Sequence, residues 1–463
     1  MGAALPDRAA VPLSWFLVLL FAGRAATADT LAPPPAGGPV PGPVIELAPE
    51  PPSAPSSATS SDSVDSALPD SAAPLQSPYL VGEQPRRSLK SPLFNLPREF
   101  QIDVALDPRT ANQRGATVGG YGELTVNAPV DRSGPAVADL RRTVLFFGMN
   151  FTDRIRYFSE IEWEHAFTSA EQKGEIAVEQ MMLDFMVRRY FNIRAGMSVL
   201  PIDLVNQYHE PSTFHGVERP DVDTYLVPST WKQLLVGFYG AVSELRYQIY
   251  LTPGLIAEGF TAASGIRGGV QGNLPRIHDL GVSGRIDWAP LLGMNVGLSG
   301  YFAPAGQGDP NLGEVRVAIA SLDGRFARAG FSARAQATYI YIDHVEQLNA
   351  VLFRINPAAG PVARQLLGGY VEAAYDLLRP AHLRAGAQLF LFFRYDRTNT
   401  QLDVPAAQLS GPQQRGVDRS AYVAGLTFKP LFEIAVKADY AYRHSEVAGS
   451  GTHLIDLALA YQF

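Results

Sequence analysis

The chain has 463 residues, a formal net charge of -7, 46% hydrophobic and 18% charged residues. That is enough apolar material for a large core or one very large sheet, and it excludes a chain disordered throughout. Cysteine is absent, which removes disulfide frameworks, thiolate zinc sites, iron-sulfur clusters and cysteine nucleophiles together. With 38 Lys and Arg against 45 Asp and Glu, the chain lacks the basic footprint of a nucleic-acid binder.

In chain order, Arg8 precedes an apolar run from Val11 to Gly23, followed by Ala26-Thr27-Ala28, the small-x-small pattern read by signal peptidase. The expectation is a signal peptide over 1–28, cleaved before Asp29. A membrane anchor is the competing reading, but the run is short for ~30 Å of hydrocarbon crossed as a helix. From Thr30 to about Leu96 the composition shifts to Pro, Ala and Ser, with three prolines at Pro33 to Pro35. Such a segment cannot bury enough apolar surface to offset its ordering entropy. Residues 29–116 are therefore read as a mostly disordered linker on the periplasmic side.

After Ala116 the pattern alternates with a period of two, the signature of strands with unlike faces. In the last segment Ile455, Leu457, Leu459, Tyr461 and Phe463 alternate with Asp456, Ala458, Ala460 and Gln462. Sixteen strands are predicted, at 117–127, 141–151, 154–166, 175–188, 190–200, 234–242, 243–252, 278–290, 293–303, 313–323, 325–342, 367–378, 381–397, 418–430, 432–445 and 451–463. Short turns such as Thr152-Asp153 and Arg379-Pro380 alternate with long connections at 128–140, 201–233, 253–277, 343–366 and 398–417. Three further connections on the long side, at 167–174, 304–312 and 446–450, are shorter. An even strand number with this asymmetry predicts a transmembrane antiparallel β-barrel over 117–463, apolar outside and polar within. Closure also pairs every backbone group in lipid, whereas a soluble sandwich has no need of unequal ends.

The segments GGYGEL (Gly119 to Leu124), FSEIEWEHAF (Phe158 to Phe167), Arg194 to Pro220 and VPSTWKQLLVGFYG (Val227 to Gly240) resemble the phosphate-selective porin O and P family of Gram-negative outer membranes. The resemblance implies a sixteen-stranded barrel, a homotrimer, and a diffusion pore narrowed by an inward-folded third external loop. Here the third long connection is 201–233. Phe463 looks like the C-terminal signal by which the barrel assembly machinery recognises such proteins. Some members of that family carry a helical coiled-coil segment before the barrel, and the Pro-rich stretch here is not expected to form one.

Alternation assigns Arg154, Arg156, Arg194, Arg246, Arg285, Arg316, Arg334, Arg384, Arg394, Lys437 and Arg443 to the lumen. It also assigns Glu123, Glu160, Glu162, Glu164, Asp184, Asp287, Glu372, Asp376, Asp396, Glu433, Asp439 and Asp456 there, with a bulge expected near Gln180, where alternation falters. Glu160, Glu162 and Glu164 form a row on one strand face, which a lumen wall explains more simply than acid-base catalysis. His209, Glu210 and His215 match no helical metal motif such as HExxH. With Glu218, Arg219 and Trp231 they read as residues that hold a constriction loop against the wall. The sequence calls for no catalytic residue, no metal and no cofactor.

These readings make the chain an outer-membrane porin for small hydrophilic solutes or ions, with lipid as its surroundings. The alternative is a structural or adhesive barrel tethered through its linker, with the third loop as a plug. An enzyme lacks a nucleophile-base geometry, and a TonB-type transporter needs more strands and a folded plug domain. Phosphate selectivity requires a cationic lumen. The loop from 201 to 233 carries Asp203, Glu210, Glu218, Asp221 and Asp223 against Arg219 and Lys232, which predicts a general or weakly cation-preferring pore.

Overall fold

The structure is a computed structural model and describes residues 115–131, 134–165, 174–272, 274–381, 386–405, 417–445 and 451–463. The expected signal peptide, its cleavage before Asp29, the linker up to 114 and Arg384 lie outside the described residues, while Gly115 and Ala116, expected in the linker, open the first strand.

Each run of alternating residues forms one strand: β1 (Gly115–Pro129), β2 (Val137–Thr152), β3 (Ile155–Glu164), β4 (Glu175–Arg188), β5 (Phe191–Val199), β6 (Lys232–Val242), β7 (Leu245–Pro253), β8 (Leu280–Trp288), β9 (Met294–Pro304), β10 (Arg316–Arg328), β11 (Phe331–Ile342), β12 (Gln365–Asp376), β13 (Gln388–Asp403), β14 (Asp418–Leu431), β15 (Ile434–Ser445) and β16 (Thr452–Gln462). Two short helices, α1 (Leu204–Gln207) and α2 (Val345–Ile355), lie in long connections. Every strand pairs antiparallel with its sequence neighbours, and β1 pairs with β16 to close the barrel, from Tyr121 opposite Gln462 to Pro129 opposite Leu454. The sixteen-stranded closed barrel expected from alternation is thus present.

The outward face carries half-exposed apolar side chains, among them Leu145, Leu183, Ile249, Leu298, Leu391 and Leu457. Exposed aromatics gather at both ends of the strands. Phe151, Tyr190, Trp288, Phe331, Tyr375 and Phe463 lie at the short-turn end, and Tyr341, Tyr422 and Tyr440 toward the long-loop end. An apolar belt between aromatic girdles is the exterior a bilayer requires. Among the described residues no helix is long and apolar enough to cross a membrane. The long connections fall at one end and the short ones at the other, where β1 starts and β16 finishes. The exception is 377–387, where in place of the expected tight turn Arg379-Pro380 lies in a 3-10 turn, which suits a proline without an N–H, and β13 begins only at Gln388.

Three further expectations are corrected. The turn between β10 and β11 lies at Ala329-Gly330, both at positive φ (57° and 83°), rather than at Gly324, which is an ordinary strand residue paired with Ala335. The turn uses two residues that take a left-handed backbone, which an in-strand glycine does not mark. Within β10 the inward face holds Val317, Ile319, Ser321, Asp323 and Arg325, so Arg316 faces outward, where it pairs with exposed Glu314. Arg154 and Glu433 belong to exposed two-residue turns and are not part of the lumen wall.

Candidate functional site

The connection from β5 to β6 folds into the barrel instead of away from it. Its sequence gives the reason: Leu200, Ile202, Val205, Val222, Leu226, Val227 and Trp231 are apolar and fully buried, sharing one core with wall residues Leu235, Tyr250, Tyr301, Ile319 and Ile340. The Trp231 and Tyr301 rings lie 4.8 Å apart between centroids. The connection after β7 and helix α2 extend this core through Leu255, Phe260, Ile266, Val345, Leu348 and Leu352. The long-loop half of the barrel is therefore filled on the β5 to β12 side.

Polar contacts then pin the loop across the lumen. Asp203, at φ 63°, donates its N–H to Ser299 Oγ on β9 (3.2 Å) and accepts from Thr338 Oγ1 on β11 (3.1 Å). On the far wall, Lys429 Nζ donates to Ser212 O (2.8 Å) and Lys437 Nζ to Gly216 O (2.8 Å). Asp439 Oδ2 accepts from Val217 N (2.6 Å), and Asp396 Oδ1 from Asp221 N (3.1 Å). Arg394 donates to Glu218 O (3.0 Å), Arg443 pairs with Asp221 (2.5 Å), and Arg141 forks onto the Glu218 carboxylate. Arg334 donates to Thr213 O. The loop thus spends wall cations on its own backbone carbonyls.

The remaining charges brace the wall. Arg194 pairs with Asp184 (2.8 Å), Arg285 with Asp287 (2.8 Å) and Asp323 (2.6 Å), and Arg394 with Asp396 (2.8 Å). Arg142 lies 3.0 Å from Glu123 and 3.7 Å from Glu162, which Lys232 approaches to 3.6 Å. Arg156 reaches Met186 Sδ (3.4 Å), Arg246 is half-buried on the inward face of β7, and Glu164 is half-buried at the end of β3. A cavity of ≈ 590 Å³ lies between the loop and the β10–β11 turn, lined by Arg325, Arg328, Arg334, Arg379, Lys429 and His215 and, among the described residues, by no carboxylate.

The loop histidines part company. His215 donates to or accepts from Ser332 Oγ (3.1 Å) and packs 4.7 Å from the Phe390 ring. Burial, reinforced by Arg334, Lys429 and Lys437, holds its imidazole well below the ordinary pKa, so it is neutral. His209 sits beside Tyr121, Glu160 and Glu179. Burial opposes its protonation, but the carboxylates of Glu179 and Glu210 prevail and raise its pKa. Burial pushes Glu210 upward. At Glu218 burial is outweighed by the Arg141 fork, which holds the carboxyl low. Burial and neighbouring Asp323 push Asp203 up to about 7, against the hydrogen bonds it accepts.

Sequence reasoning missed Arg141, Arg142, Glu179, Asp323, Arg325, Arg419 and Lys429 on the inner side. The β1–β2 register shifts between Glu123 and Thr125, and the β3–β4 register between Glu160 and Ile161, where Gln180 and Val178 are the partners. The second bulge is the one signalled by faltering alternation near Gln180, and it turns Glu179 inward as well. Arg419 and Lys429 were legible, since Tyr422, Leu426 and Phe428 mark the opposite face of β14.

No family model matches the chain. It is 30% identical over 358 residues to an uncharacterized protein of Aquifex aeolicus (strain VF5), covering 74% of this chain and 80% of that one. The chain belongs to the family of that Aquifex protein. Among solved structures, Salmonella typhi OmpF in complex with daunomycin superposes with a TM-score of 0.50 at 11% identity, over 76% of this chain and 98% of that one. The outer-membrane channel DcaP of Acinetobacter baumannii gives 0.49 at 12% identity, over 75% and 97%. At 11% identity the likeness to OmpF is one of fold alone, a closed antiparallel β-barrel.

Proposed function

We propose that this barrel is an outer-membrane channel through which small hydrophilic solutes or ions diffuse passively. The observation that carries the reading is the division of faces, an apolar girdled exterior around an inner wall of Arg, Lys, Asp and Glu with a loop folded across it. The short turns, the start of β1 and the end of β16 then face the periplasm, with the signal peptide removed and the linker before Gly115 on that side. The barrel assembly machinery recognises Phe463, and three copies associate in the membrane.

Wall residues Arg156, Glu160, Glu162, Arg194, Arg246, Arg285, Arg334, Arg394, Lys437 and Arg443 border the lumen, and the loop bearing His209, Glu210, His215, Glu218, Arg219 and Trp231 sets its narrow zone. The resemblance to phosphate-selective porins favours anions, and the carboxylate-free cavity beneath the loop supports that at the periplasmic mouth. The loop itself carries excess acid, and most wall cations are already paired. The balance favours a general or weakly cation-preferring pore. Planar-bilayer recordings of the refolded chain, with reversal potentials in asymmetric potassium chloride, test this. Discrete conductance steps with a potential near zero or on the potassium side support it, and a marked chloride or phosphate preference refutes the charge argument. A specific observation favours a second reading, a plugged structural barrel: the apolar core that fills the β5 to β12 side. Absence of conductance steps from folded barrels would select it.

A further inference from the structure

The structure brings together three side chains that lie apart in sequence: Glu160 on β3, Glu179 at the bulge of β4, and His209 just beyond α1 in the inward loop. One ligand atom from each falls within 4.8 Å of the others, and all three residues are buried. His209 Nε2 lies 3.3 Å from Glu179 Oε1. That separation is the edge of a tetrahedron whose centre is about 2.0–2.1 Å from each ligand, the spacing of zinc to nitrogen and oxygen.

The surroundings are those of an oriented ligand set. His209 Nδ1 faces the backbone carbonyl of Asn206 (3.2 Å), and Nε2 faces Glu179 and the Tyr121 hydroxyl (3.0 Å). Gln180 Nε2 donates to Glu160 Oε2 (2.7 Å), and Tyr121 O–H is placed to donate to Glu179 Oε2 (3.3 Å). Outer partners of this kind fix ligand orientation in metal sites. Independently, Glu179 Oε1, in a residue with no solvent exposure, has no hydrogen-bond partner, and neither does the buried Glu210 Oε2 close by. A buried carboxylate oxygen 3.3 Å from an imidazole nitrogen requires a cation between them, either a proton or a metal ion.

We propose that Glu160, Glu179 and His209 bind a divalent transition-metal ion, with zinc as the best match to one nitrogen and two carboxylate ligands, and that the ion staples the inward loop to β3 and β4. The fourth position is left to water. The proposal rests on the barrel and loop geometry and stands whether or not the barrel conducts.

The test uses the detergent-solubilised full chain, stripped with chelator and titrated with Zn²⁺ by calorimetry, then with Co²⁺ followed by visible absorption. The expected result is one Zn²⁺ per chain, the intense visible bands of tetrahedral Co²⁺, and a higher thermal midpoint that chelator reverses. His209→Ala and Glu160→Gln each weaken binding by more than about tenfold, while His278→Ala, an exposed histidine elsewhere, leaves it intact. Wild-type protein that takes up no stoichiometric Zn²⁺ overturns the proposal even if both variants misfold. So does uptake that persists unchanged in folded His209→Ala and Glu160→Gln proteins.

Discussion

Arg285 sits without solvent exposure between Asp287 and Asp323, its guanidinium donating to both carboxylates. Removing it strands two buried anions, and breaking a buried pair of this kind costs about 3–5 kcal/mol. Arg285→Ala is therefore expected to lower the unfolding free energy of the lipid-reconstituted barrel by that amount in denaturant titrations. A loss below about 1 kcal/mol, the range of exposed ion pairs, would show that water reaches the triad. Asp203 offers the complementary experiment. Burial raises its carboxyl to about 7, above the unfolded value, so the folded state holds the proton more tightly. That contribution is complete below about pH 4 and is lost as pH rises through about 7, with a slope of at most about 1.4 kcal/mol per unit. Asp203→Asn keeps the acceptor for Thr338 and tolerates the left-handed backbone. It is expected to flatten thermal stability between about pH 4 and 7 relative to wild type, and an unchanged slope would assign the dependence to another group.

Strands show why some of the molecule was legible and some was not. In β16 and β15 a strict period of two left one solution, and the inward Asp456, Lys437 and Asp439 follow from it directly. Period two fails where a bulge adds a residue, and two of the bulges fall beside the loop anchors: one turns Arg141 and Arg142 inward together, the other Glu179 and Gln180. Local sequence carries little of that signal, because a bulge is fixed by the partner strand. Nor could alternation foretell that α1 would bring His209 against Glu179, since that contact joins a loop to a wall. The seam of the barrel tests the strand scale. Gly120 exchanges both backbone hydrogen bonds with Phe463 (3.0 and 2.9 Å), and a Cβ there would meet Val144 O at 2.4 Å. Gly120→Val is expected to prevent closure, and Phe463→Ala to reduce assembly by removing the terminal aromatic from the girdle. Heat-modifiable mobility of membrane extracts measures both. Gly120→Val running wholly as folded barrel would contradict the closure argument, and normal surface levels of Phe463→Ala would contradict the assembly role.

For the whole molecule, two networks have separate duties. Backbone ladders join all sixteen strands into a ring, and this ring needs nothing from the lumen to close. The inward loop is held instead by its apolar core on one side and by wall side chains, Lys429, Lys437, Asp439, Asp396 and Arg394, on the other. Replacing residues 203–229 by a short Gly-Ser linker should therefore leave a closed but less stable barrel, because the apolar side chains of the wall lose their cover. It also frees the cations that the loop carbonyls now occupy. Single-channel conductance is expected to rise several-fold, and the reversal potential in asymmetric potassium chloride to move toward chloride, since loop carboxylates leave and Lys429, Lys437 and Arg394 face open water. Conductance unchanged in a folded variant would place the constriction elsewhere, in the packed connection after β7 and the α2 segment.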